Sequence, residues 1–280
     1  MRTIIKQVAI IWWEWNFWKF AWDLISQTWI KVKNISENTT QGEKIKIIND
    51  SQIIIFSIPI SNIVETIRDY TEYLIWDKLV MDITWMKINP MRELKNLNVN
   101  EIVWTNPMFW PIGNNLKWKK IIFSEEKCWN KWKFVRRVLK KSWANLIKLS
   151  PEEHDEKMAI IQSLTHIMNI VFMKTIKDLW YHPEELEEIE TPIYKLQSFI
   201  SWRFLNQSWA LYADMQMLNP YFLENVLPIL INNLIEIWNI DLNKDKKNFI
   251  KTFNELYEFL WEKFIDKSIE NTQKIDDILK

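Results

Sequence analysis

Glycine is nearly absent from this chain. Only 2 glycines occur in 280 residues, whereas an average soluble protein of this length contains about 20. Glycine supplies the turns that need φ > 0 and the places where a backbone must approach a ligand closely. Taken literally, the composition therefore argues against any fold built on glycine loops.

Cysteine and net charge are also low. The single cysteine, Cys128, excludes an internal disulfide framework and a cysteine-based zinc cluster, and we expect no metal site. The reducing cytoplasm is the compartment that such cysteine usage favours. The 36 basic and 36 acidic residues cancel, so charge provides no argument for nucleic acid or an anionic membrane as a partner.

Long apolar runs are not evident either. We find no stretch of about 18 apolar residues, and therefore expect no transmembrane helix. A short apolar run at residues 8–13 follows Arg2 and Lys6 but lacks a small-residue cleavage site. We interpret it as a buried first strand, with a signal peptide as the weaker alternative.

Tryptophan, in contrast, is abundant, with 19 copies in the chain. Its excess roughly equals the deficit of glycine. Trp76 lies in a turn between two apolar runs, and Trp143 and Trp180 follow stretches where helices should end. Tight turns and the residue after a helix C-terminus are positions that glycine favours. The tryptophans thus occupy positions typical of glycine.

One hypothesis accounts for both counts. In some bacterial lineages the UGA codon is read as glycine, and translation with a code in which UGA means tryptophan would write Trp at each such glycine. The abundance of Ile, Lys and Asn fits the AT-rich coding in which such reassignments occur. We expect most tryptophans to stand for glycine, although single sites such as Trp22 can be genuine. The alternative is a truly tryptophan-rich protein.

With this interpretation, residues 13–18 become G-E-G-N-F-G. They follow a predicted strand at 7–11 and precede a predicted helix at 19–26. That arrangement is the dinucleotide fingerprint, in which glycines allow the turn and the approach of the pyrophosphate to the helix N-terminus. The alternative is a tight turn without a ligand. The predicted cofactor contacts are Trp13, Trp15, Asn16, Phe17 and Trp18.

Further buried runs alternate with helix-length stretches, which predicts βαβ units and a parallel sheet. These runs lie near residues 30–33, 51–57, 78–83, 101–103 and 120–123. Ligands bind such sheets at the carboxyl ends of the strands, so Pro59 and Asp82 are candidate cofactor contacts. Glu37, after the second strand, would repel a 2′-phosphate and favours NAD, without excluding NADP. A solvated surface glutamate is the alternative interpretation of Glu37.

The second half of the chain has a different character. Residues 150–153 (S-P-E-E) combine an N-cap serine, proline at the first helical position and glutamate at the third, which predicts a helix start. Met158, Ile161, Leu164 and Met168 are spaced for one buried face of that helix, which we expect to continue to Trp180. Later stretches are also helical in pattern, at 184–190, 194–205, 220–239 and 246–264.

The predicted fold class is therefore α/β followed by all-α. We expect an N-terminal Rossmann-type dinucleotide-binding domain over residues 1–149. An all-helical domain follows over residues 150–280, suited to substrate binding and dimerisation. A helical cap on a monomer is the alternative, because apolar helices often pack only their own core.

With glycine in place of tryptophan, the chain resembles the prephenate and arogenate dehydrogenase family from about Val8 to about Phe264. The resemblance implies a homodimer that catalyses the NAD(P)-linked oxidative decarboxylation of prephenate or arogenate in tyrosine biosynthesis. Five segments carry it: the loop at 12–18, D-I-T-W-M-K at 82–87, G-T-N-P-M-F-G-P at 104–111 (with glycine at 104 and 110), 150–166 and 201–214.

The resemblance also implies roles for residues of the second half. The family arginine that binds the substrate carboxylate falls on Arg203. A second family arginine falls on Lys195, which keeps the positive charge but cannot form the bidentate hydrogen bonds of a guanidinium group. Gln207 is a further candidate for substrate binding, and His166 falls on a pocket histidine.

The chain departs from the family at two positions. The catalytic histidine, which accepts a hydrogen bond from the substrate hydroxyl and helps remove its proton, falls on Asn106. Asparagine accepts a hydrogen bond but cannot take the proton. The serine that supports this histidine falls on Trp85.

Three interpretations of this departure follow. Another base serves, and His166 is then the candidate; or the substrate differs; or the protein binds ligands without catalysis. We assign His154 to the start of its helix and no role to His182.

Overall fold

The computed structural model describes residues 5–12, 29–109, 116–260 and 262–279. It divides into two compact units. The first comprises Met1–Met158 with Ala213–Asn219, and the second comprises Ala159–Tyr212 with Pro220–Lys280. The domain boundary expected between residues 149 and 150 therefore lies within the first unit.

A seven-stranded sheet, counted over the described residues, forms the centre of the first unit. Its spatial order is β2-β1-β3-β4-β5-β6-β7, and every neighbouring pair is parallel except β5 with β6. The strands are β1 (Gln7–Trp12), β2 (Lys31–Ile35), β3 (Ile53–Ser57), β4 (Trp76–Asp82), β5 (Val99–Pro107), β6 (Lys120–Lys127) and β7 (Asn145–Lys148). The chain order reverses between β1 and β3, which makes this pair the topological switch point of the sheet.

Helices cover both faces of the sheet, and its central strands are buried over most of their length. They are α1 (Gln41–Asp50), α2 (Ile63–Tyr70), α3 (Ile88–Lys95) and α4 (Asn130–Lys141). Successive residues of β3 point to opposite faces: Ile54 and Phe56 share a core cluster with α2 and α3, whereas Ile53 and Ile55 share one with α4.

The predicted N-terminal α/β arrangement is confirmed. Each predicted strand is present with small shifts at its ends, as strand boundaries usually show. We did not predict β7, a short and half-buried strand at the sheet edge. The predicted loop at 13–18 and helix at 19–26 lie outside the described residues.

The second unit is helical throughout the part that the structure describes. A continuous helix, α5 (Pro151–Asp178), enters it from the first unit and contains a π-helical turn at Ala159–Leu164. Another π-helical turn, Phe222–Val226, leads into α9. The remaining helices are α6 (Pro183–Glu187), α7 (Pro192–Arg203), α8 (Trp209–Met217, in part assigned to the first unit), α9 (Leu227–Leu242), α10 (Lys246–Phe259) and α11 (Glu262–Leu279).

The start of α5 is the one that the sequence predicts. The Ser150 hydroxyl accepts from the backbone N–H of Glu153 at 3.1 Å, and the Glu153 carboxylate accepts from the backbone N–H of Ser150 at 2.9 Å. This reciprocal pair is a capping box. The predicted helix start at residues 150–153 is therefore confirmed.

The buried face of α5 differs from the predicted one. Met158 is buried as expected, but Ile161 and Met168 are exposed and Leu164 is only half-buried. The buried positions of its second half are instead polar, namely Ser163, His166 and Asn169. The prediction was wrong because apolar spacing identifies a face but not whether the same chain covers it.

The same helix passes a length and hydropathy test for membrane spans. An 18-residue window of α5 has a mean hydropathy of 1.3, although polar residues interrupt it and the chain has no uninterrupted run of about 18 apolar residues. A core helix of a protein without a membrane segment passes this test equally well. A single such helix is therefore weak evidence.

Four tryptophans adopt left-handed backbone conformations. Among the described residues, φ is 52° at Trp76, 67° at Trp118, 61° at Trp143 and 63° at Trp180, and Lys244 is the other non-glycine residue with positive φ. Trp143 and Trp180 directly follow the C-caps of α4 and α5. Glycine is the usual residue in this conformation, so the expectation that Trp76, Trp143 and Trp180 occupy glycine-type positions is confirmed.

Candidate active site

The carboxyl ends of the parallel strands collect several of the predicted site residues at one edge of the first unit. Asp82 is the last residue of β4, and Asn106 lies one residue before the end of β5. Pro59 follows β3 and is half-buried, and Glu37 follows β2 and is exposed. The predicted loop residues Trp13, Trp15, Asn16, Phe17 and Trp18 follow β1 and lie outside the described residues.

Unpartnered polar atoms flank the switch point. The Ser57 hydroxyl at the end of β3 is buried, and the Asn34 side-chain oxygen near the end of β2 is buried as well. Neither atom has a hydrogen-bond partner among the described residues. Buried polar atoms in native proteins are normally bonded. These two atoms fit a polar ligand at the β1–β3 crevice, where doubly wound sheets bind nucleotides.

Asp82 is engaged in a buried ion pair. Its Oδ2 lies 2.7 Å from the Lys87 ammonium, and both side chains are inaccessible to solvent. Its Oδ1 accepts from the backbone N–H of Thr84 at 2.8 Å. Burial lowers the pKa of Lys87, and the charge of Asp82 opposes that shift. The contacts of Asp82 thus hold the loop between β4 and α3.

Asp155 of α5 binds the start of α3. Its carboxylate accepts from the backbone N–H of Lys87 at 3.0 Å and from that of Ile88 at 2.9 Å. A negative charge at a helix N-terminus is stabilising because the first backbone N–H groups have no partner inside the helix. The carbonyl of Asp155 accepts from the Asn219 amide at 2.9 Å. The start of α5 is therefore joined to the carboxyl edge of the sheet.

His154 connects Asp155 to Asn106. Its Nδ1 lies 2.7 Å from Asp155 Oδ1, and its Nε2 lies 2.8 Å from Asn106 Nδ2. The side chain of His154 is fully buried, and Trp104 packs against it with its ring centroid 5.1 Å away. Burial lowers the pKa of His154, opposed by the hydrogen bond to Asp155. Sequence alone did not predict this contact, although the adjacent His154–Asp155 pair within the segment 150–166 was a signal for it.

A second polar cluster lies in the helical unit. His166 lies between the rings of Phe204 and Tyr212, whose centroids are 5.1 and 4.7 Å away. Burial lowers the pKa of His166 to about 4, and its Nδ1 has no hydrogen-bond partner among the described residues. The Tyr212 hydroxyl donates to Gln207 Oε1. Burial raises the pKa of Tyr212, and the nearby charge of Arg203 opposes the shift.

These contacts bring His166 and Gln207 together around Tyr212, whereas Arg203, at the end of α7, is exposed. Lys195 has a different partner. Its ammonium lies 2.9 Å from Glu190 Oε1, which raises the pKa of Lys195. Within the part of the chain that the structure describes, Lys195 bonds to Glu190 and not to the His166 cluster.

The fold and these sites together define a class of protein. A parallel sheet whose order reverses at β1 and β3, with helices on both faces, is the architecture of nucleotide-binding α/β domains. A helical unit follows it, in which a buried histidine, His166, packs against Phe204 and Tyr212. The class is therefore a nucleotide-binding protein with a helical second domain.

Family comparisons identify the members of this class to which the chain is related. The prephenate dehydrogenase nucleotide-binding domain matches residues 30–121, and the prephenate dehydrogenase dimerization domain matches residues 150–255. The two matches together span well over half of the chain. The protein belongs to the prephenate dehydrogenase family.

Individual relatives agree with this assignment. The "Probable arogenate/prephenate dehydrogenase" of Methanocaldococcus jannaschii is 33% identical over 209 residues, which are 72% of this chain and 46% of that protein. The "T-protein" of Haemophilus influenzae is 23% identical over 235 residues, which are 83% of this chain and 62% of that protein. The chain thus spans about half to three fifths of the length of these curated relatives.

A solved structure shares the fold. The crystal structure of prephenate dehydrogenase from Aquifex aeolicus in complex with hydroxyphenyl propionate and NAD+ superposes with a TM-score of 0.64 at 15% identity. The match covers 91% of this chain and 97% of that chain. At this identity the likeness shows a common fold.

Proposed function

We propose that this protein is an NAD-dependent dehydrogenase that oxidatively decarboxylates prephenate, or its amino analogue arogenate, in tyrosine biosynthesis. The product from prephenate is 4-hydroxyphenylpyruvate. The observation that carries the proposal is the match to both domains of one dehydrogenase family, in order along a single chain. The Ser57 hydroxyl and the Asn34 side-chain oxygen, which have no partner among the described residues, support a dinucleotide bound beside the switch point.

The nicotinamide, when bound, accepts the hydride that leaves the carbinol carbon of the substrate. The chain must then hold the substrate carboxylate, orient the ring hydroxyl and exclude water. Arg203, exposed at the end of α7, can form a bidentate pair with a carboxylate. Lys195 can contribute a second positive charge if it exchanges its bond to Glu190 for one to the substrate.

Two further side chains have proposed roles toward the substrate. Asn106, at the carboxyl end of β5, accepts the hydrogen bond from the ring hydroxyl. His166 is kept neutral by burial, so it can accept a hydrogen bond near neutral pH, and its pKa of about 4 makes it a weak general base. Gln207 holds Tyr212 against His166. We assign Asp82 to the support of this site, because both of its oxygens already have partners.

NAD is the proposed cofactor in preference to NADP. Glu37 follows β2 and is exposed, where its charge would repel a 2′-phosphate and its oxygens can bond the ribose hydroxyls. Pro59, after β3, would line the same crevice. Replacement of Glu37 by Gln should narrow the preference for NAD, measured as the ratio of kcat/KM for the two cofactors.

We also propose that the cofactor loop of the native protein reads G-E-G-N-F-G, with glycine where Trp13, Trp15 and Trp18 are written. The left-handed backbone at Trp76, Trp118, Trp143 and Trp180 supports a general exchange of tryptophan for glycine. Mass spectrometry of the native protein tests it: the peptide covering residues 8–19 should have glycine masses. Tryptophan masses there would refute the exchange.

The activity is tested with protein that has glycine at these loop positions, because indoles would obstruct the approach of the pyrophosphate. Addition of prephenate or of arogenate should reduce NAD, followed by NADH absorbance. Arg203→Lys should lower kcat/KM by about one to two orders of magnitude, because lysine cannot form two parallel hydrogen bonds to the substrate carboxylate. Arg137→Lys on the exposed surface of α4 is the control. Binding of NAD without turnover of either substrate would instead favour a non-catalytic ligand-binding protein.

We infer that the protein acts as a homodimer and that the helical unit forms the interface. No residue of α9 is buried in the single chain, and its exposed apolar side chains include Ile231, Leu234 and Ile235. Contiguous exposed apolar surface of this kind marks an interface. A second copy is the occupant we propose, because α9 lies inside the match to the dimerization domain.

The exposed apolar residues of α5 belong to the same proposal. Ile161, Met168 and Val171 are exposed and also lie within that match, so we assign them to contact with protein rather than with lipid. The proposed location is the cytoplasm, and the proposed partners are the substrate, NAD and a second copy of the chain.

A further inference from the structure

The hydrogen bonds around His154 determine which of its nitrogens carries the proton. The Asp155 carboxylate accepts from two backbone N–H groups at the start of α3, so it acts as an acceptor toward His154 as well. His154 Nδ1 is therefore the protonated nitrogen in the 2.7 Å contact with Asp155 Oδ1. Because burial keeps the ring neutral, Nε2 has a free lone pair on the side of Asn106.

This lone pair orients the amide of Asn106. A lone pair can only accept, and the group that it faces at 2.8 Å is the Asn106 Nδ2. Rotation of the amide by a half-turn would place Asn106 Oδ1 against Nε2, with two acceptors in contact in a fully buried environment. The amide oxygen of Asn106 is thus directed to a donor other than His154.

The position of Asn106 makes this orientation relevant to the reaction. Asn106 lies at the carboxyl end of β5, next to the carboxyl end of β4, and ligands of parallel sheets bind at this edge. We propose that His154, held by Asp155, is a positioning residue that presents the Asn106 amide oxygen to the substrate hydroxyl. This proposal rests on the proposed function. It deepens that function by naming the Asn106 amide oxygen, oriented by His154, as the acceptor that replaces a histidine ring.

The charges around His154 do not disturb this arrangement. Asp155 bonds its Nδ1, while Lys87 and Asp82 form a closed ion pair within the same network. Trp104 packs edge-on against the ring but makes none of these hydrogen bonds, so glycine at position 104 leaves them in place. Burial and the charge of Lys87 disfavour protonation of His154, whereas Asp155 and Asp82 favour it.

The test combines spectroscopy with two substitutions of different chemistry. In the native protein labelled with ¹⁵N, the His154 ring should show the Nδ1–H tautomer at neutral pH without any substrate. His154→Gln retains an oxygen that can accept from Asn106, whereas His154→Leu does not. We expect kcat for His154→Leu to fall about tenfold, the worth of one oriented hydrogen bond, with KM changed less than about twofold.

His154→Gln should recover most of that loss, and His182→Leu, at an exposed histidine, should leave kcat unchanged. An Nε2–H tautomer, or equal losses in the Gln and Leu variants, would overturn the proposal. If His154→Leu does not fold, the tautomer of His154 and the kinetics of His154→Gln still test whether His154 positions Asn106. If the native protein binds NAD but turns over neither substrate, the proposed function fails. The tautomer and the resonances of the Asn106 amide protons then decide separately whether His154 orients Asn106.

Discussion

At the scale of single residues, the tryptophans divide into those that fit their surroundings and those that do not. Trp132 is buried, donates to Glu125 Oε1 at 2.6 Å and packs on Phe123 with ring centroids 5.4 Å apart. Trp143, in contrast, is 66% exposed and has a φ of 61°. A bulky residue in the left-handed region is strained by about 1–3 kcal/mol. The surroundings of position 132 are therefore suited to tryptophan, whereas the backbone conformation at position 143 is suited to glycine.

We predict that Trp143→Gly stabilises the protein. The free energy of unfolding should rise by about 1 kcal/mol, because glycine adopts the left-handed conformation without strain. Trp132→Gly is the matched control and should lower it by at least about 3 kcal/mol through the cavity that it leaves. Urea unfolding measures both. A loss of stability in Trp143→Gly would contradict the assignment of this position to glycine.

Asn106 sets the expected limit on the rate. Asn106→His introduces a group that can take the hydroxyl proton, so kcat should rise by up to about 10²–10⁴-fold if the native site has no other base. The pH profile should gain a rise with an apparent pKa below the ordinary histidine value of about 6.5, because the base must be unprotonated and position 106 is buried. An unchanged kcat would count against the position of Asn106 beside the reacting hydroxyl.

At the scale of elements, two helices of the first unit begin on carboxylates that are distant in sequence. Asp155 binds the start of α3. Glu101 of β5 accepts from the backbone N–H groups of Trp129, Lys131 and Trp132 at 2.9, 3.0 and 2.8 Å at the start of α4. The residue preceding α4, Trp129, makes no side-chain cap of its own. The sheet thus supplies the N-terminal partners that α4 lacks.

Glu101→Gln tests this cap. The amide keeps one accepting oxygen but loses the charge and adds buried N–H groups without acceptors, so we expect the free energy of unfolding to fall by about 1–3 kcal/mol. Glu126→Gln, in the neighbouring strand β6 with an exposed salt bridge to Lys95, should change it by less than about 1 kcal/mol. Urea unfolding of both variants provides the measurement. If both variants lower the free energy of unfolding equally, the Glu101 cap of α4 makes no specific contribution to stability.

At the scale of the whole molecule, the exposed apolar face of α9 predicts self-association. Leu234→Glu with Ile235→Glu places two charges on that face and should weaken the dimer by at least tenfold, because charge is disfavoured in the core of an interface. Asn232→Glu adds a charge at an exposed polar position of the same helix. Analytical ultracentrifugation gives the dissociation constants. A monomeric native protein at micromolar concentration would refute the dimer.

Stability of the whole protein should also depend on pH below neutrality. Burial lowers the pKa of His166 to about 4 and lowers that of His154, against about 6.5 in the unfolded chain. The unfolded state then binds more protons, so stability is present above about pH 6.5 and is lost as the pH falls toward 4. The slope is at most about 1.4 kcal/mol per pH unit for each histidine.

Urea unfolding midpoints between pH 7 and 4 measure this dependence. His166→Gln removes one titrating group and should flatten the curve, whereas His182→Gln at an exposed site should not. A curve that is unchanged in His166→Gln would show that His166 does not contribute to the loss of stability at low pH.

The sequence by itself determined what depends on near neighbours along the chain. Alternating strands and helices predicted the parallel sheet, and the residues at 150–153 predicted the capping box at the start of α5. Tryptophans directly after helix ends predicted left-handed positions at Trp143 and Trp180. Periodicity, caps and turns are short-range properties, because they depend on backbone hydrogen bonds and torsions within a few residues.

Only the tertiary structure decided which distant groups meet. Asn106 and His154 are 48 positions apart in sequence, yet their side chains lie 2.8 Å apart, because the start of α5 lies at the carboxyl ends of β4 and β5. The same holds for Glu101, which accepts from the N-terminus of α4. Which face of α5 is buried was also undecided: apolar spacing marks a face, but the neighbours that cover it depend on the packing of the whole chain.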